Sequence, residues 1–267
     1  MSLFLRGIFD SARKERRACF LPYICVGFPT YALSLRMAMA ALDAGSDALE
    51  LGIPFSDPVA DGPTLQRATH RSLLQGTKVI DAFRLIRSLR RAGYHQPILA
   101  MTYLNPVERM GWSTFTKALR DAGGDGMIVP DLPTDEMRAP AALLRRHGLA
   151  LIPFLSPVSP ASRVRMAESL KAPFLYYVSV TGVTGARKGI ASGLLARLRV
   201  LRRSLKTPVV VGFGISGPRQ ARSIGREAGG VIIASAIIDL VERAPAGRLP
   251  VVVGRFCRTV VQALRME

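Results

Sequence analysis

Eight short apolar runs rich in β-branched residues recur along the chain, each bounded by Gly or Pro. They are Pro22 to Val26, Ala48 to Gly52, Pro97 to Thr102, Gly126 to Val129, Ala150 to Phe154, Phe174 to Val180, Pro208 to Gly212 and Gly230 to Ala234. Between them lie segments with an apolar residue every third or fourth position and arginine on the other side: Tyr31 to Ala44, Val79 to Ala92, Phe115 to Ala122, Met137 to His147 and Leu194 to Leu205. Gly45, Gly93, Gly123 and Gly148 follow the last turns of these helices, and Pro140, Pro160 and Pro218 stand near helix starts. Strand and helix thus alternate about eight times, at intervals of roughly 22 to 34 residues apart from one longer gap after the second strand. That rhythm implies parallel strands joined by helical crossovers. An open doubly wound sheet obeys it too, but eight repeats without a linker or composition break favour closure into a barrel. The expected class is α/β, a single (β/α)8 TIM-barrel domain over residues 1–267. An extra amphipathic N-terminal helix is expected over 1–17 and a closing C-terminal helix over 250–266.

Composition bounds what such a barrel can do. Apolar residues at 49% and charged residues at 21% exclude a disordered or low-complexity chain, and no apolar run approaches the length of a membrane-spanning helix. The 37 Lys and Arg against 19 Asp and Glu leave a formal charge of +18. The cations fall at helical spacing, as in Arg84, Arg87, Arg90 and Arg91, which fits solvated outer faces of helices. The aromatics sit within apolar segments instead of alternating with basic clusters, so nucleic acid is not an expected partner. Cys19, Cys25 and Cys257 form no CxxC pair, and His70, His95 and His147 are scattered, so no metal is expected and a reducing, cytoplasmic setting fits. The first residues contain Asp10 and Glu15 and lack an uninterrupted apolar stretch, unlike a leader peptide.

In barrels of this kind chemistry sits where strands end and loops begin. Alternation along the second strand puts Ala48, Glu50 and Gly52 on one face and Leu49, Leu51 and Ile53 on the other. With the leucines facing helices, Glu50 points into the barrel near its mouth. A carboxyl desolvated there is a candidate acid and base near neutral pH; a structural Glu paired with a buried Arg or Lys is an equal alternative. The proline-stiffened loop Pro54 to Thr64 then carries Asp61 back over the opening, although taken alone Asp57 and Asp61 fit better as turn formers or helix caps. Three later exits, Ser179 to Gly189, Gly212 to Ser216 and Ala234 to Ala236, are rich in small residues, and the last opens a helix. Such consecutive exits suit a phosphate cradle.

Read together, LELGIPFSDPVADGPTLQ from Leu49 to Gln66, SVTGVTGAR from Ser179 to Arg187 and PVVVGFGIS from Pro208 to Ser216 resemble the tryptophan synthase alpha-subunit family. Asn105-Pro106 and PDLP at Pro130 to Pro133 extend the resemblance, which covers Leu3 to Val241. It implies a (β/α)8 barrel that splits indole-3-glycerol phosphate into indole and glyceraldehyde 3-phosphate without metal or organic cofactor. Glu50 matches the family's acid/base, Asp61 the carboxylate near the indole nitrogen, and Tyr176 a position beside the reacting group. Gly185, Phe213, Gly214, Ala234 and Ser235 match phosphate-binding positions; Tyr23, Leu65, Met101 and Phe154 surround the indole ring; Thr184 helps close the loop. Asp57, Pro58, Asn105 and Pro106 match the face that docks on a beta subunit in an α2β2 complex. That partner receives the indole for tryptophan biosynthesis and carries the pyridoxal phosphate.

Three positions depart from the family's pattern. Ala234 replaces a frequent glycine and would be strained if its φ were positive. Cys25 stands where threonine is frequent, removing a hydroxyl that could orient Glu50, and Phe28 stands where Asp is frequent. A phosphate-binding barrel without turnover, or another phosphosugar enzyme, are the rival expectations.

Overall fold

The computed structural model describes residues 3–178, 193–212 and 214–265; the expected sites at Thr184, Gly185 and Phe213 lie outside the described residues. The chain opens with α1 (Leu3–Lys14), β1 (Cys19–Cys25), α2 (Tyr31–Asp43) and β2 (Leu49–Gly52). The long gap that follows holds two helices, α3 (Pro63–Leu74) and α4 (Val79–Arg91), before β3 (Ile98–Met101). Next come α5 (Leu104–Met110), α6 (Trp112–Ala122), β4 (Gly126–Ile128), α7 (Arg138–Arg146), β5 (Ala150–Ile152), β6 (Phe154–Leu155), α8 (Ala161–Ser169) and β7 (Leu175–Tyr177). The remainder is α9 (Leu194–Ser204), β8 (Val209–Val211), α10 (Pro218–Gly225), β9 (Gly230–Ile233), α11 (Ser235–Arg243) and α12 (Leu249–Arg265).

The strands pair in parallel in the order β5-β4-β3-β2-β1-β9-β8-β7-β6. The two ends of that list are separated in sequence only by Pro153, so the expected fifth strand is present as two pieces. Pro153 has no N–H to give a neighbour, and the ladder breaks there. Its carbonyl still accepts from Tyr176 N at 2.9 Å, so the lower piece pairs with β4, the upper piece with β7, and the cylinder closes through the proline. The short α5 was not expected; its first amide, Leu104 N, is held by Asp131 Oδ1 at 2.8 Å from the next strand exit. It places Asn105 and Pro106 on a helix rather than a loop.

Side-chain alternation separates two cores. Leu49, Leu51 and Ile53 pack outward with Ile24, Met37 and Leu42 under the helices, as the β2 pattern predicts. The inner core holds Leu21, Leu99, Ile128, Ile152, Phe174, Tyr176, Val210 and Ile232 from successive strands. At its strand-start end α1 inserts Leu5, Phe9 and Ala12, and the Phe9 ring lies 5.4 Å from that of Phe174. The N-terminal helix therefore plugs the floor, leaving the opposite mouth open. The C-terminal helix α12 packs on α2 and α10 at the outside.

Polar staples also gather at the floor. Arg90 donates to the carbonyls of Gly123, Tyr94 and Gln96 and pairs with Asp125 at 2.8 Å, tying the starts of β3 and β4 together. Arg17 pairs with Asp47 at 2.8 Å, and Asp47 accepts from Phe20 N, joining the starts of β1 and β2. Rigid anchoring at this end positions the exits at the other.

Candidate active site

At the strand-exit end the structure encloses a cavity of about 660 Å³. Its walls bring together Glu50, Asp61 and Tyr176; the aromatic and aliphatic residues Tyr23, Leu65, Met101 and Phe154; and the small residues Gly214, Ala234 and Ser235. Positions from Tyr23 on β1 to Ser235 on α11 thus converge on one space. Asp57 and Pro58 face a separate groove of about 350 Å³, together with Phe55 and His70. Asn105 is exposed and Pro106 half-buried on α5.

Glu50 points inward and is only 1% exposed. Among the described residues its Oε2 has no hydrogen-bond partner and neither Glu50 nor Asp61 joins an ion pair, so none of them supplies the Arg or Lys that a structural pair would need. Burial, and then the neighbouring Asp61 carboxylate, push the Glu50 carboxyl up to about 8. Asp61 does not cap α3, whose N-cap Gly62 makes no side-chain capping bond. Its side chain instead turns into the cavity, where burial raises its pKa to about 7 against the opposing pull of a hydrogen bond from Tyr103.

The folded chain therefore holds protons on these acids at pH values where the unfolded chain has released them. Their contribution to stability is fully present below the ordinary carboxylate pKa near 4 and is lost as pH rises through about 7 to 8. We expect the melting temperature to decline more steeply between pH 5 and pH 8 in the native chain than in Glu50→Gln, which has no carboxyl to ionise. Parallel melting profiles would contradict the burial-driven shift.

Tyr103, two residues after the inward Met101, was not among the expected site residues. Its hydroxyl accepts from Ala60 N at 3.1 Å and donates to Asp61, while its ring stacks on Phe55 at 5.4 Å. It fixes the loop and the acid together. The signal was available in the period-two run Leu99, Met101, Tyr103, which continues the inward face of β3.

Around the acids, Phe154 and Tyr176 lie with ring centroids 4.6 Å apart, and the Tyr176 hydroxyl donates to the Gly212 carbonyl at 3.1 Å. A Cβ on Gly212 would collide with Tyr176, and one on Gly52 with Tyr23, so both tyrosines need the glycine beneath them. At the exits of β8 and β9, Gly214 takes φ +72°, and α11 begins at Ser235 without a side-chain cap. Uncapped N–H groups and the positive end of the helix dipole suit an anion there. Ala234 has φ −114°, so its methyl group imposes no left-handed strain. The Cys25 thiol donates to the Val26 carbonyl at 3.8 Å, and among the described residues it gives Glu50 Oε2 no partner. Phe28 is buried, with the Arg71 guanidinium 5.2 Å above its ring.

Among the described residues no three His, Cys, Asp or Glu side chains gather as a metal set, and no helix is long and apolar enough to cross a membrane. A family model described as tryptophan synthase alpha chain matches residues 9–259. The tryptophan synthase alpha chain of Roseiflexus sp. strain RS-1 is 43% identical over 239 residues, 90% of this chain and 92% of the relative. Among solved structures, tryptophan synthase subunit alpha from Legionella pneumophila superposes with a TM-score of 0.89 at 31% identity, covering 98% of each chain. A chain in a structure of Mycobacterium tuberculosis tryptophan synthase gives 0.88 at 34% identity, also covering 98% of each.

Proposed function

Because the chain belongs to the tryptophan synthase alpha chain family, and so is a lyase that splits indole-3-glycerol phosphate in tryptophan biosynthesis, we propose that the mouth cavity is where it does so, with Glu50 and Asp61 as its working acids. The observation that carries this assignment is the meeting of two buried carboxyls, neither in an ion pair among the described residues, in one cavity that is also lined by small residues and a helix start.

Cleaving the bond between indole C3 and the side chain requires a proton on C3 and removal of one from the adjacent hydroxyl. Glu50, protonated near neutral pH, gives its proton to C3. The carboxylate it leaves then takes the hydroxyl proton as the carbon–carbon bond breaks, and the acid is restored with the proton count unchanged. The protonated ring carries positive charge toward its nitrogen. In a water-poor cavity that charge is met by the Asp61 carboxylate, which Tyr103 holds in place and whose ionised form the cation favours. Tyr23, Leu65, Met101, Phe154 and Tyr176 enclose the ring plane. Gly214, Ala234 and Ser235 take the phosphate, with Gly185 and Phe213 assigned to the same end and Thr184 to loop closure.

The exposed Asp57 and Asn105, with Pro58 and Pro106, form the face for a beta subunit in an α2β2 complex. Pyridoxal phosphate belongs to that partner, and this chain works in the cytoplasm as one barrel domain with no cofactor, no metal and no nucleic-acid partner. Purified chain given indole-3-glycerol phosphate is expected to release indole slowly alone and much faster with a tryptophan synthase beta subunit. Thermal protection by the substrate with no indole formed under either condition would favour a binding-only barrel.

A further inference from the structure

Tyr23, placed above in the wall around the ring, also carries a hydroxyl that the mechanism has not used. It lies on β1 in register opposite Glu50 on β2, and both side chains are buried and line the cavity. The bare backbone of Gly52 lets the Tyr23 hydroxyl settle one inward position above Glu50, toward the mouth. The other phenol in the same wall, Tyr176, has its proton committed to the Gly212 carbonyl at 3.1 Å. The Tyr23 hydroxyl has no comparable carbonyl acceptor among the described residues; beside it the Cys25 thiol donates to the Val26 carbonyl at 3.8 Å. Glu50 Oε2, on the neighbouring strand, has no partner among the described residues.

From this geometry we infer that Tyr23 is a positioning residue for the reaction: after Glu50 has protonated indole C3, its carboxylate swings toward the neighbouring Tyr23 hydroxyl, which donates a hydrogen bond to it. No proton leaves Tyr23. The hydrogen bond stabilises the carboxylate and aims it at the side-chain hydroxyl until the proton returns. The groups facing Tyr23 agree with a donor role. Burial first, and then Cys25 on its own strand, Asp61 from the loop after β2, Glu50 on β2 and Tyr103 after β3, all disfavour ionising the phenol, so it remains protonated through the working pH range. Tyr176 on β7 faces the same two acids.

The inference rests on Glu50 being the acid proposed above, and its test separates the two. In Tyr23→Phe, kcat is expected to fall roughly tenfold to a hundredfold, as for loss of a hydrogen bond to a charged group, with KM changed less than about twofold. The pH limb that depends on Glu50 should move to higher pH, since the carboxylate has lost its donor. Cys25→Ala, which removes the thiol beside Tyr23 and keeps the phenol, should leave the position of that limb unchanged. If Glu50→Gln is inactive but Tyr23→Phe matches the native chain in kcat, KM and pH profile, this inference is overturned while the role of Glu50 stands. If Glu50→Gln remains fully active, the proposed site itself fails. A melting temperature for Tyr23→Phe within a few degrees of the native chain excludes simple unfolding as the cause of lost activity.

Discussion

In the Glu50→Gln variant, turnover of indole-3-glycerol phosphate is expected to fall by roughly 10²–10⁴ while the substrate still binds. Glutamine keeps the shape of the side chain and cannot move a proton, so the loss reports on the chemistry alone. The cavity makes the comparison clean: among the described residues Glu50 Oε2 has no hydrogen-bond partner and Glu50 makes no ion pair for the substitution to break. Replacing a carboxyl pushed up by burial with a neutral amide should leave the fold intact at neutral pH. Steady-state indole release, with substrate binding measured by thermal shift, checks both halves. Native-like turnover would remove Glu50 from the mechanism.

Asp61→Asn should lower kcat by about 10²–10³, the range found when one preorganised partner of a developing charge is removed. The effect should fall on kcat far more than on KM, because the ring becomes cationic only along the reaction path. Asparagine can still accept the Tyr103 hydrogen bond, so the loop carrying residue 61 should remain in place and the missing charge be the principal change. A KM-only effect would instead make Asp61 a binding contact for the neutral ring. The two carboxyls are close enough to influence each other electrostatically, so the double variant should lose less than the two separate losses combined.

Much of the barrel was legible because parallel strands flanked by helices must alternate in sequence as they do in space. Leu49, Leu51 and Ile53 face outward and Glu50 inward because a four-residue strand buried on both faces leaves no other assignment for a carboxyl. The break at Pro153 was invisible as a break: the run Ala150 to Phe154 is apolar throughout, and only the register on each side shows that the proline hands the strand from one neighbour to the other. The helix α5 was not among the expected elements; in the fold Pro106 lies in its first turn, where no intrahelical N–H is needed.

At the site, the sequence placed Asp61 on the right loop but could not tell a capping Asp from a cavity Asp. That choice depends on Tyr103, forty-two positions away, whose hydroxyl holds the loop at Ala60 and the acid beside it. Ala234 looked like a strain site because a family pattern records residue types and not dihedral angles, and its φ is negative. The surplus of arginine has a partial physical account. Many cations end helices, as Arg145 and Arg146 do in α7 and Arg202 and Arg203 in α9, where they meet the negative end of the dipole.

The most direct test of two acids working on one ring is to run the cleavage in D2O and analyse the indole by mass spectrometry and NMR. A carboxyl that exchanges with solvent and then protonates C3 predicts one deuterium at C3 of every indole formed, with glyceraldehyde 3-phosphate released in equal amount, and no such product from Glu50→Gln on the same timescale. Indole lacking deuterium at C3, or labelled indole produced equally by Glu50→Gln, would contradict the account.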